Sequence, residues 1–79
     1  PQIDMAIEEM RELIKALLKF RRALDCDTLH ECRGAIIDEL ADVSVMIRQM
    51  KILFRAEEET EKRIDEKIKR QLKRMEGGV

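Results

Sequence analysis

Glu9 and Glu12 in one stretch, and Glu39 and Asp42 in another, are the residues through which this chain could do chemistry. Each pair is spaced i, i+3, so on a helix its two carboxylates share a face about one turn apart. At about 100° per residue, Glu9 falls among Met5, Leu13, Ala16 and Phe20, inside the apolar arc of its stretch, and Glu12 sits at the edge of that arc. Glu39 falls among Val43, Met46 and Met50, and Asp42 borders Ala35 and Leu53. Carboxylates are seldom fully buried unless paired or bound to metal. Four of them gathered by two helices repel one another and raise their pKa values. A hard divalent cation with oxygen ligands resolves that conflict.

The elements that must aim these acids are helical. The 79-residue sequence is 44% apolar and 42% charged, with 3% aromatics and one proline, a mixture that favours helices packed on helices. A first helix is expected from about Ile3 to about Asp25. It carries the apolar series Ile3, Ile7, Met10, Ile14 and Leu17 beside a second, Ala6, Leu13, Phe20 and Leu24. The opposite face holds Asp4, Glu8, Arg11, Lys15, Lys19 and Arg22. Asp25 to Thr28 form a polar break, and Thr28 with Glu31 reads as a capping box that starts the next helix. Gly34 lies just inside that helix, as a kink or as the end of a short first segment. From Ala35 to Phe54 one stripe runs through Ile36, Leu40, Val43, Ile47, Met50 and Phe54. Ala41, Val45 and Ile52 lie on nearly the other side, so this helix expects two partners: the first helix, and either another subunit or the last helix. The last helix, Ala56 to Met75, has a narrow stripe of Ile64, Ile68, Leu72 and Met75, with acids at its start and bases at its end, and Gly77 and Gly78 to stop it. No glycine or proline marks its join to the second helix.

At this size one domain, residues 1–79, is expected, and a core this small calls for a partner chain. Net charge is −1, which suggests neither a nucleic-acid partner nor a membrane surface. No apolar run is long enough to span a bilayer. Cys26 and Cys32 read as reduced thiols of a cytoplasmic protein. With His30 they suggest zinc, but their spacing fits no closed structural site. Met5, Met10, Met46 and Met50 read as core filler. Ser44 is too isolated for a nucleophile.

Glu8-Glu9-Met10-Arg11-Glu12 reads as E-E-x-x-E, and Glu39-Leu40-Ala41-Asp42, after an interval of 26 residues, as E-x-x-D. These motifs and their flanks resemble the MazG-like all-α nucleoside triphosphate pyrophosphohydrolases, most strongly from Gln2 to Phe54. The run from Lys67 to Arg74 is similar to the basic tail helix of short members. The resemblance implies an all-α fold, a helical hairpin plus a C-terminal helix, associating through a four-helix core as a homodimer, homotetramer or other higher oligomer. It implies Mg²⁺, or Mn²⁺, held by Glu9, Glu12, Glu39 and Asp42. It implies cleavage of a nucleoside triphosphate between the α and β phosphates, giving the monophosphate and pyrophosphate. Glu8 points away from the other acids and is a helix-surface residue or a support for the site. Within that chemistry, Glu12 and Glu39 are the best-placed acids for a catalytic base. Lys15, Lys19, Arg22, Lys67, Arg70 and Arg74 are candidates to offset charge on the phosphates. Met5, Ala16 and Phe20 could border the base. The rival expectation is a non-catalytic helical scaffold or regulatory dimer, its acids merely paired with Lys and Arg.

Overall fold

In the computed structural model, which describes residues 1–77, every element is helical: α1 (Gln2–Arg22), α2 (Cys26–Leu53) and α3 (Glu57–Gly77). α1 starts against Pro1, whose carbonyl accepts the Met5 amide at 2.9 Å. Proline suits that position because the amide it lacks has no partner within a helix anyway. α1 ends at Arg22, a little before the expected Asp25, with Ala23 already extended.

The start of α2 corrects the expected capping box. Asp25, not Thr28, is the cap: its side chain accepts the Thr28 amide at 2.7 Å. Aspartate caps as well as threonine and comes first in the chain, so Cys26 and Asp27 join the first turn and Thr28 becomes an internal residue. The helix then runs unbroken through Gly34, where an added Cβ would meet open space. Gly34 therefore does not end a separate short segment.

α2 breaks from α3 at residues 54–56. The Ala56 amide reaches the Lys51 carbonyl at 2.8 Å and the Arg55 amide reaches Ile52 at 3.1 Å. That is a Schellman ending, whose left-handed position is usually glycine. Here it is Arg55, at φ 51°. Lys51 Nζ bridges the corner to Glu61 Oε1 at 3.0 Å. α3 runs through Gly77, so that glycine does not stop it, and Gly78 lies outside the described residues.

α1 and α2 pack side by side as the expected hairpin, and α3 meets that hairpin only at the corner. The chain is a slab, 43 × 41 × 14 Å. Its radius of gyration of 16.2 Å exceeds the value of about 12 Å for a compact domain of this length. Ala6 of the second apolar series of α1 and Val43 of the α2 stripe are buried along the hairpin seam, and Cys32, about one turn before that stripe begins at Ile36, is buried as well. The other series of α1, Ile3 to Leu17, remains 42–56% exposed. Leu40 and Ile47 of α2 are also exposed, as are Ala41, Val45 and Ile52 on its other side. α3 does not cover the second side of α2, so of the two partners expected there, the last helix is ruled out within one chain.

Candidate metal centre

The hairpin seam has two borders. On one, Met10 of α1 and Ile47 and Met50 of α2 line an apolar hollow closed at the corner by Phe54, Ala56 and Thr60. The acids take the other border. Glu9 follows Ala6 by three residues and Glu39 precedes Val43 by four, so each is carried beside a buried small residue that lets the helices approach.

One carboxylate oxygen each from Glu9, Glu39 and Asp42 lies within 4.8 Å of the other two. Glu9 and Glu39 are half-buried and Asp42 is exposed. Oxygens on opposite sides of a Mg²⁺ ion are about 4.2 Å apart, and around Ca²⁺ about 5 Å. The spread therefore suits a cation after side-chain adjustments of a few tenths of an ångström. Glu39 is the most constrained of the three. Its Oε2 is buried and has no hydrogen-bond partner. Its pKa is pushed up first by desolvation, then by the charges of Asp42, Glu9, Glu12 and Asp38. A buried, unpartnered oxygen facing like charges is the arrangement a cation relieves.

Glu12 stands apart. It is half-buried and near enough to act on Glu39 through its charge, yet it is not one of the three converging oxygens. Its Oε1 lies 3.4 Å from Lys15 Nζ instead. A step of three residues turns the helix by about 60° from full alignment, enough to carry Glu12 to the rim of the seam. Glu8 pairs with Arg11 at 3.6 Å on the exposed face, as its helical angle indicates. Of the candidate phosphate-binding residues, Lys15 is tied to Glu12, and Lys19 and Arg22 are exposed on the last turns of α1. Lys67, Arg70 and Arg74 line a shallow groove on α3 with Gln71, away from the hairpin acids.

The chain finds no match among protein-family models, curated proteins or solved structures. Among the described residues no helix is long and apolar enough to cross a membrane. One residue escaped the sequence reading. Asp38, next to Glu39, adds to the negative field there, a signal available from adjacency alone.

Proposed function

We propose that this chain is the protomer of a divalent-cation-dependent nucleoside triphosphate pyrophosphohydrolase of the MazG-like kind. The observation that carries the reading is the meeting of oxygens from Glu9, Glu39 and Asp42, with Glu39 also holding a buried Oε2 that has no hydrogen-bond partner. Those three side chains would hold Mg²⁺ or Mn²⁺. The cation would supply charge neutralisation for the polyphosphate and acidify the attacking water. In the reaction the water oxygen joins the α phosphorus and the bond to the β-phosphate oxygen breaks, releasing monophosphate and pyrophosphate. Standing outside the oxygen triad, Glu12 is freed for the other acidic role: its Oε2 accepts the proton that the water gives up, while Lys15 holds Oε1. Glu39 is thereby assigned as ligand rather than base.

The same reading assigns a cover to the exposed apolar face. Two hairpins stacked on Ile7, Met10, Ile14, Leu40 and Ile47 bury them in a four-helix core, as a homodimer or a pair of dimers. A second reading, a scaffold without catalysis, draws on that same exposed face and needs no acid site.

The test is a panel of canonical and modified nucleoside triphosphates with Mg²⁺, reading monophosphate and pyrophosphate. Turnover is expected with at least one of them, and Glu39→Ala and Asp42→Ala each abolish it while the oligomer persists. Full activity in both variants removes these residues as ligands. Cation-dependent stabilisation without product leaves a nucleotide or metal binder, and no cation response at all leaves the scaffold.

A further inference from the structure

α3 presents a surface that the hairpin leaves untouched. Its stripe of Ile64, Ile68, Leu72 and Met75 is 37–72% exposed, and the helix leans on the chain only near the Lys51–Glu61 bridge. A 21-residue helix with so narrow a stripe is marginal alone in water.

Its charges are sorted lengthwise. Residues 57–66 hold six acids and two bases, and residues 67–76 hold five bases and one acid, a net −4 against +4. A parallel copy in register sets like halves together. An antiparallel copy sets each acidic half over a basic half. We infer that α3 pairs antiparallel with α3 of a second copy of this chain. Centred on Glu66, the pair places Ile64 across from Ile68 of the second copy and Thr60 across from Leu72 of the second copy. Glu58 and Glu59 then face Arg74 and Lys73 of the second copy. Nearer the centre Asp65 faces Lys67 of the second copy, but Lys62 and Arg63 face Arg70 and Lys69 of the second copy and Glu66 faces its own counterpart, so the net attraction comes from the two ends. The apolar stripe is buried in the same act, at heptad-like spacing.

The same sorting also favours α3 as a solitary helix, because acids suit its N-terminus and bases its C-terminus. A partner is what separates the two accounts. The inference makes no use of the nucleotide site, so its failure and the failure of the pyrophosphohydrolase reading are told apart.

The experiment mixes ¹⁴N- and ¹⁵N-labelled full-length chains, joins touching carboxylates and amines with a zero-length carbodiimide, and maps mixed-isotope links by mass spectrometry. A link from Glu58 or Glu59 to Lys73 is expected. Within one helix Glu59 and Lys73 are 14 residues, about 21 Å, apart, so that link has to join two chains. Raising NaCl from about 0.05 to about 0.5 M should weaken it, since screening shortens the reach of the end charges. Charge reversal by the pair Gln71→Glu and Arg74→Glu, which sets acids against Glu61 and Glu58 of the second copy, keeps the Lys73 amine but should bring the link to background while circular dichroism still reports a helical chain. A link that survives the reversal overturns the pairing. So does its absence in chains that sedimentation shows to be associated, and so do links from α3 to the hairpin of the second copy. A chain that sediments as a monomer at every concentration overturns it as well.

Discussion

α2 begins and centres on carboxylates in opposite conditions. At its start, Asp25 is exposed and accepts the Thr28 amide at 2.7 Å, which holds its pKa below the ordinary value. Fourteen residues on, about four turns, Glu39 has a buried oxygen with no donor and four acidic neighbours, and its pKa is raised. One acid stabilises the helix that carries it. The other sits at a cost that nothing in the chain offsets. Because the two share a helix, the difference lies in what surrounds them, and Glu39 reads as a group placed for something outside the polypeptide.

Adding a cation should break the contrast most visibly. At about one hundred times its Kd, Mg²⁺ bound only to the folded chain is expected to raise the melting temperature by roughly 10 °C or more. In Glu39→Gln the same titration, followed by differential scanning fluorimetry, should leave the melting temperature unmoved. An equal rise in both proteins would place the cation elsewhere.

Without cation, Glu39→Gln should itself melt higher than the parent at neutral pH, because the amide carries no charge to repel. The sign follows from the raised pKa. Folding favours the protonated acid, so this group's contribution is greatest at low pH and is lost as pH rises through the folded pKa. The gap between variant and parent should therefore close as pH falls, and a gap constant with pH would point to packing instead.

Asp25 should behave in mirror image. Asp25→Ala removes the cap and should lower the melting temperature by a few degrees at neutral pH. Its pKa is depressed by folding, so its contribution is present above the unfolded value and lost as pH falls through the folded one. Thermal melts of the pair at several acidic pH values should converge. The smallest effect is expected at the far end of α2. Arg55→Gly relieves a left-handed backbone and should stabilise by no more than about 1 kcal/mol, part of the relief being lost to glycine's entropy. Chemical denaturation would measure it.

Much of this layout was legible in residue spacing. The broad apolar stripe on α1 indicates a packed helix, and the two apolar sides of α2 indicate that one neighbour cannot cover it; Ala6 and Val43 are buried between the helices while Ala41, Val45 and Ile52 stay exposed. The inward aim of Glu9 and Glu39 followed from helical angle alone. Three features were not legible, each for a physical reason. Asp25 and Thr28 are both competent caps, and only the amide geometry chooses between them. The α2–α3 corner uses an arginine where glycine usually announces the turn. Glu12 sits so near the rim of its arc that angle alone could not decide whether its oxygens joined the cluster, and its approach to Lys15 accompanies its place outside.

A slab 14 Å deep is one helix thick. No side chain in it is more than a short reach from bulk water, so a solitary copy has almost no interior whose loss would make unfolding abrupt. Dilution should then act on this chain much as urea acts on a self-sufficient globule: the sharpness of its melting, and not just its midpoint, would depend on how many copies share the tube.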